Sequence, residues 1–127
     1  MSASPSPVVM IHGAFSGGWA FEHWRDLFEA HGHPVYTPTL RHHQAGAATD
    51  ELADTSLTDY AADLEALLDG IGEPAVLIGH SMGGLLAQML AARGRAAALV
   101  LLAPSAPWGV LPSTPFELMS AQALYLA

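Results

Sequence analysis

A serine between two glycines, in Gly79–Gly83 with the sequence GHSMG, is the feature with the clearest chemical potential. The apolar run Ala75–Ile78 precedes this segment directly, and the helical pattern Met82–Arg93 overlaps its end. This order predicts a nucleophile elbow, a tight strand-to-helix turn that exposes the serine hydroxyl at the end of a sheet. From there the Ser81 hydroxyl could attack a carbonyl carbon. The free N–H groups at the start of the helix could stabilise the oxyanion that forms.

The same five letters also occur by chance, and the strand before them and the helix after them favour a real elbow here. Gly79 and Gly83 lack the Cβ atoms that would collide in so tight a turn, and Gly84 gives further room at the start of the helix. Ser81 itself is therefore expected in a strained backbone conformation.

The elements that must position this serine are four apolar runs separated by helical patterns. Continuous apolar runs predict strands that are buried on both faces of a parallel sheet. The runs are Val8–Ile11, Ala75–Ile78, Ala98–Ala103 and, more weakly, Pro34–Thr37. The helical patterns are Trp19–Ala30, Leu57–Ile71 and Met82–Arg93. Strands and helices alternate along the chain, which predicts an α/β fold in which right-handed crossovers place helices on both faces of a parallel sheet.

The helix pattern with the best-marked ends is Leu57–Ile71. Ser56 is a predicted N-cap, Asp59 three residues later resembles the second half of a capping box, and Gly72 stands at the expected C-cap. The polar, Ala/Gly-rich segment Arg41–Thr55 that precedes it is interpreted as a loop.

The composition excludes several classes of partner. The chain has 127 residues, of which 51% are hydrophobic, enough for a real core, and its formal net charge is −8. The four basic residues are all arginines, too few for nucleic-acid binding or for an anionic membrane surface. The chain contains no cysteine, and no segment reads as a signal peptide or a membrane span. We expect a cytoplasmic protein with a small-molecule substrate.

A second motif follows the first predicted strand: His12–Trp19 reads HGAFSGGW. Together with the GHSMGG of Gly79–Gly84, and with the strand and loop of Gly32–Leu40, this motif resembles the α/β-hydrolase superfamily, in its branch of small esterase-like enzymes. The resemblance covers about Val8 to Ala103. It implies a partial α/β-hydrolase fold that is truncated before the last strands, and it implies no cofactor.

The resemblance also implies roles for individual residues. Ser81 would be the nucleophile, and the backbone N–H groups of Ala14 and Met82 would form the oxyanion hole, with Phe15 as the fallback for Ala14. In the family, the histidine at the position of His12 shapes the oxyanion loop and does not take the proton of the serine.

The residues that would activate Ser81 are missing from the sequence. The family follows its nucleophile with an acid and then a histidine. After Ser81 the chain has no histidine, and its only carboxylate is Glu117, which is interpreted as part of a solvated helix face. We therefore interpret residues 1–104 as the N-terminal half of a hydrolase core and residues 105–127 as the start of a cap. The isolated chain is expected to be inactive or nearly so, with an uncovered apolar edge strand near Ala98–Ala103 that favours aggregation.

Three further residues are candidates for substrate contact. Phe15 and Trp19 could wall an acyl pocket, and His80 neighbours the nucleophile in sequence. For His80 a packed position beside the elbow is the favoured interpretation. The pairs His31/His33 and His42/His43 could suggest a metal, but no cysteine or ordered carboxylate spacing accompanies them, so no metal site is predicted.

Two functional hypotheses remain. The first is a serine hydrolase that acts on a small carboxylic ester or related acyl substrate. Carbon–carbon bond hydrolases, hydroxynitrile lyases and cofactor-free haloperoxidases of the same family share the serine and stay open. The second is a non-catalytic module, either a hydrolase-like pocket that binds a small molecule or a truncated hydrolase-like product.

Overall fold

Four parallel strands form the sheet in the computed structural model, which describes residues 4–47, 49–107, 109–111 and 113–119. The strands are β1 (Val8–Ile11), β2 (Val35–Tyr36), β3 (Ala75–His80) and β4 (Ala96–Leu102). They lie in the order β2-β1-β3-β4, with every neighbouring pair parallel. The predicted parallel α/β architecture is confirmed.

Helices cover both faces of this sheet. A 3₁₀ turn, Gly18–Phe21, leads into α1 (Glu22–Ala30), and α2 (Thr49–Ala53), α3 (Leu57–Ile71) and α4 (Met82–Ala92) follow. On one face the core consists of Val8, Met10, Phe21, Val35 and Ile78, with Phe28 of α1 packed against them. On the other face, residues of α3 and α4 pack against β1 and β3; this core includes Ile11, Tyr60, Leu64, Leu77, Leu86 and Leu90. Alternate residues of β1 thus enter different cores, as the pleat of a strand requires.

Several element boundaries differ from the prediction. β3 runs two residues further, to His80, and β4 starts at Ala96. The predicted helix Trp19–Ala30 is divided into the 3₁₀ turn and α1. The Met/Leu/Ala pattern of Phe116–Leu126 also predicts a helix; residues 116–119 are helical, and residues 120–126 lie outside the described part.

The interpretation of Arg41–Thr55 as a loop was wrong for its second half, which contains α2. Asp50 and Glu51 lie in the first turn of this helix, where carboxylates interact favourably with the helix dipole. Leu52 packs against the larger core and anchors this helix, which is too short to show a periodic pattern.

The two edges of the sheet are different in kind. β2 has only two residues and lies between Pro34 and Pro38, which limits the pairing of another strand with it. β4 has seven apolar residues, and within the described residues it pairs on one side only. The predicted apolar edge strand is therefore present, with Val100 41% exposed.

Within the described residues, no helix combines the length and the apolar character that crossing a membrane demands.

The N-terminus of α3 gives a direct test of the capping prediction. The Ser56 hydroxyl accepts the Asp59 N–H at 3.1 Å, and the Asp59 carboxylate accepts the Ser56 N–H at 2.9 Å, a complete capping box. The hydrogen bond from the Ser56 N–H to the Asp59 carboxylate holds the pKa of Asp59 below its ordinary value.

We expect Ser56→Ala to lower the free energy of unfolding by about 1 kcal/mol, because the Asp59 N–H loses its acceptor. Urea denaturation followed by circular dichroism measures this change. Thr58→Ala, at an exposed position of the same turn, is the matched control and should cause no loss of stability. Equal losses in the two variants would contradict the importance of the cap.

Candidate active site

Ser81 lies at the turn between β3 and α4, with φ 55° and ψ −121°. This is a conformation that residues with a side chain rarely adopt, and it costs about 1–3 kcal/mol. The residue is half-buried and stands at the N-cap position of α4, where its side chain makes no capping hydrogen bond. The strained strand-to-helix turn predicted from the GHSMG spacing is therefore present.

The glycines around Ser81 are required by the close approach of backbone segments. A Cβ on Gly79 would overlap the Gly83 carbonyl group and lie 2.7 Å from the Gly84 Cα. A Cβ on Gly83 would overlap the carbonyl oxygens of Ile11 and His12 at the end of β1. Because backbone atoms form these contacts, no side-chain rearrangement could make room for a larger residue.

The loop after β1 is pressed directly against Ser81. A Cβ on Gly13 would lie 3.1 Å from the Ser81 Cβ and 3.6 Å from its Oγ. Gly13 opens a tight turn in which its carbonyl oxygen accepts the Ser16 N–H at 3.3 Å, so that Ala14 and Phe15 are the central residues of the turn. The first glycine of the HGAFSGGW motif thus brings this turn beside Ser81.

The later glycines of the same motif fix the course of the loop. The indole of Trp19 lies over Gly17, in the space that a Cβ there would need. Gly18 lies against the Thr37 carbonyl group, and its N–H donates to Thr39 Oγ1 at 3.0 Å. The loop is therefore tied to the segment that follows β2.

Two of the predicted oxyanion donors lie in the segments on either side of Ser81. Met82 is the first residue of α4 and Ala14 is one residue from Gly13. In the described part of the chain, the backbone N–H groups of Ala14, Phe15 and Met82 donate no hydrogen bond to protein. These groups are free to bind an oxyanion, and the assignment of Ala14 and Met82 as the pair remains a prediction.

His12 is buried beneath this loop, with 1% of its surface exposed, and both ring nitrogens are engaged. Nε2 accepts the Leu40 N–H at 2.9 Å, so the proton of the neutral ring is on Nδ1, which donates to the Gly13 carbonyl oxygen at 2.7 Å. Neither nitrogen is available to take the proton of Ser81. His12 therefore holds the loop after β1 in place, and this agrees with the expectation that it does not act as the base.

Burial lowers the pKa of His12, an effect that the hydrogen bond to Gly13 partly opposes and the charge of His43 reinforces. The His43 ring lies 5.2 Å from that of His12 and 5.5 Å from that of Tyr60. The three rings form one packed group that joins the segment after β2 to α3. A charged His12 would be poorly accommodated there.

The three candidates for substrate contact are more exposed than the rest of the site. Phe15 is 87% and Trp19 is 54% exposed. His80 is also exposed, so the expectation that it packs beside the elbow was wrong. It is the last residue of β3, beyond the cores on the two faces of the sheet. The role of these three residues in binding substrate remains a prediction.

Glu117 does not take part in the site. Its carboxylate accepts the N–H groups of Ser113 at 2.7 Å and Thr114 at 3.1 Å, and these bonds lower its pKa. It is exposed, as the sequence predicted. Within the described ranges, no three histidine, aspartate or glutamate side chains converge on a position for a metal ion.

Sequence reasoning missed the contacts that β4 makes with the nucleophile. The Ser81 N–H donates to the Leu102 carbonyl oxygen at 3.2 Å, and the Ser81 carbonyl oxygen accepts the Ser105 N–H at 2.9 Å. In the sequence, this segment is notable only because it carries no carboxylate. Backbone hydrogen bonds depend on chain path and not on residue type, so no sequence signal could have shown them.

Gly83→Ala tests the close contact between the elbow and β1. We expect it to lower the free energy of unfolding by about 3 kcal/mol, because the added methyl group meets two backbone carbonyl oxygens. Gly70→Ala is the matched control: it lies in α3 with no atom within 4 Å of the position that its methyl group would take, and it should gain up to about 1 kcal/mol. Urea denaturation measures both changes, and a neutral Gly83→Ala would refute this packing.

The burial of His12 predicts a specific pH dependence of stability. The unfolded chain protonates His12 below about pH 6.5, whereas the folded chain resists protonation until a lower pH. The stability that neutral His12 contributes is fully present above that pH. It is lost as the pH falls toward the lower pKa of the folded state, with a limiting slope of about 1.4 kcal/mol per pH unit.

His12→Gln should remove this slope, whereas His23→Gln, at an exposed position of α1, should retain it. Urea denaturation at a series of pH values compares the two variants with the parent chain. An unchanged slope in His12→Gln would show that another group carries the pH dependence.

The chain is similar to known proteins in sequence and in fold. The sequence model of the alpha/beta hydrolase family matches residues 8–127. The chain is 37% identical over 84 residues to salicylic acid-binding protein 2 of Nicotiana tabacum, covering 61% of this chain and 30% of that protein. It is 30% identical over 111 residues to a pyrethroid hydrolase of Sphingobium wenxiniae, covering 84% of this chain and 39% of that protein.

A comparison with solved structures also finds this similarity in fold. The pyrethroid hydrolase from Sphingobium faniae JZ-2 superimposes with a TM-score of 0.70 at 27% identity, covering 88% of this chain and 47% of that chain. The chain spans less than half the length of each of these three relatives. The family match extends over nearly the whole sequence, and the sheet and the elbow agree with it. The chain therefore belongs to the alpha/beta hydrolase family.

Proposed function

We propose that Ser81 is the nucleophile of a serine hydrolase that acts on a small carboxylic ester or a related acyl compound. The observation that carries this proposal is the backbone of Ser81, strained at φ 55° and placed directly against Gly13 and the turn that follows it. A structural serine gains nothing from such a conformation, whereas a nucleophile gains an exposed hydroxyl beside free N–H groups. The pyrethroid hydrolase among the relatives supports a hydrolytic reaction.

The proposed reaction has two steps. In the first, the Ser81 Oγ forms a bond to the substrate carbonyl carbon while a general base takes the hydroxyl proton, and the oxyanion lies against the N–H groups of Ala14 and Met82. The bond to the leaving alkoxide then breaks, and the alkoxide takes up that proton. In the second step, a water molecule attacks the acyl-serine, the base takes a proton from the water, and this proton returns to Ser81 as the acid product leaves.

Within the described residues, the Ser81 hydroxyl makes no hydrogen bond to a histidine that could act as the general base. All seven histidines precede Ser81 in the sequence, and His12, which lies in the loop against Ser81, has both ring nitrogens engaged. Without a base the hydroxyl keeps its proton, and loss of the base in serine hydrolases costs several orders of magnitude in rate. The chain by itself should therefore be nearly inactive.

We also propose that the substrate is a small molecule and that the protein is cytoplasmic.

A second candidate is a non-catalytic module that binds a small acyl compound. The observation that favours it is the same lack of a base, because a pocket without an activated serine can still hold a ligand. The two candidates differ in whether Ser81 reacts once a base is supplied. That difference can be measured on the chain itself.

We expect added imidazole to serve as that base. A fluorophosphonate probe should label Ser81, and imidazole should raise the labelling rate at least about tenfold, because neutral imidazole accepts a proton near pH 7. Intact-protein mass spectrometry gives the rate, and peptide mapping gives the position. Ser81→Ala should remain unlabelled, whereas Ser6→Ala, at an exposed serine before β1, should behave as the parent chain does.

Two results would overturn the catalytic proposal. The first is labelling that persists in Ser81→Ala, which would place the reaction at another residue. The second is the absence of Ser81 labelling even with imidazole present, which would favour the binding module.

A further inference from the structure

We infer that the segment that leaves β4 positions the nucleophile, with Ser105 as its main positioning residue. This inference rests on the proposed function of Ser81. The segment Leu102–Ser105, here called the β4 exit, contacts Ser81 through backbone groups on both sides of its Cα. It has no role in the proposed chemistry of the oxyanion or of the base.

Two of the hydrogen bonds that fix Ser81 come from α4. The Ser81 carbonyl oxygen accepts N–H groups from Gly84 at 2.9 Å and Leu85 at 3.3 Å, both within the first turn of that helix. An ordinary N-cap residue with an extended backbone also accepts such bonds. They do not by themselves select the left-handed conformation of Ser81.

Two further bonds come from the β4 exit. The Ser81 N–H donates to the Leu102 carbonyl oxygen at 3.2 Å, and the Ser81 carbonyl oxygen accepts the Ser105 N–H at 2.9 Å. The two peptide groups that flank the Ser81 Cα are therefore each bonded to the same short segment. Fixing both groups fixes the φ and ψ of Ser81, which is how the surroundings can maintain a costly conformation.

The path of the β4 exit is itself unusual. The Leu102 carbonyl group and the Ser105 N–H both bond to Ser81, and the chain turns between them at Ala103. Ala103 has φ 41° although it is not glycine. The next residue, Pro104, lies against α4, where a Cβ on Gly84 would be 2.6 Å from the Pro104 Cβ. Strain at Ala103 is thus found together with strain at Ser81, and Gly84 allows the contact between the two segments.

A side chain of α4 joins the same arrangement. Gln88 is half-buried, and its Nε2 lies 3.3 Å from the Gly84 carbonyl oxygen and 3.5 Å from that of Ser105. This amide therefore links the helix that begins at the nucleophile to the residue that bonds the nucleophile. Gln88 supports the position of Ser105, and Ser105 in turn supports Ser81.

Ser105→Pro tests the inference, because it removes the N–H donor. We expect the maximal rate of imidazole-assisted labelling of Ser81 to fall about tenfold, with the probe concentration at half-maximal rate unchanged. We also expect the Ser81 amide to exchange with solvent about tenfold faster, while the amide of Leu64 in α3 keeps its rate. Ala106→Pro, one residue further at an exposed position, is the matched control for both measurements.

Gln88→Leu is the second variant and tests the inference if Ser105→Pro does not fold. It keeps the size of the side chain but removes the amide, so both effects should occur in the same direction at about threefold. Gln44→Leu, at an exposed position before α2, is its control.

Different results would overturn this inference and the proposed function. If the parent chain is not labelled at Ser81, the proposed function fails and amide exchange alone tests the β4 exit. If Ser81 exchange stays at the parent rate in the folded variants, or rises equally with that of Leu64, the positioning role is wrong. Selective exchange at Ser81 together with a lower maximal rate supports it.

Discussion

The backbone of Ser81 is held in a left-handed conformation that a residue with a side chain adopts only when neighbouring groups offset its cost. Three segments provide that support: the end of β1 through Gly13, the first turn of α4, and the chain that leaves β4. All of them meet at the carboxyl ends of parallel strands, where α/β proteins place their sites. The parallel order of the sheet is thus a precondition for the geometry of the nucleophile.

Close contact between backbones determines much of the sequence around the site. Gly79 and Gly83 stand where backbone atoms leave no space for a Cβ, and a Cβ on Gly13 would press on the side chain of Ser81. His12 ties the loop after β1 to the segment after β2, because its two ring nitrogens bond the Gly13 carbonyl group and the Leu40 N–H. A buried neutral imidazole suits this task, since one nitrogen donates and the other accepts.

In the proposed mechanism, the described residues supply the groups that would stabilise the oxyanion. The N–H groups of Ala14 and Met82 would be oriented before any substrate arrives and would stabilise a developing oxyanion without reorganisation. Proton transfer needs a different kind of group, a base with a free lone pair, and the histidines of this chain all precede Ser81. In the proposed mechanism, the positioning of Ser81 and its activation thus depend on different groups.

Residue types and their spacing were enough to predict the features that depend on neighbours along the chain. The apolar runs of β1 and β3, the capping box at Ser56 and the elbow at Ser81 are local patterns of this kind. Other features emerged only in the folded chain: the hydrogen bond between His12 and Leu40, 28 residues apart, the bonds from the β4 exit to Ser81, and the exposure of His80. These features depend on which distant segments meet, and backbone groups, being common to all residues, leave no trace of that in the sequence.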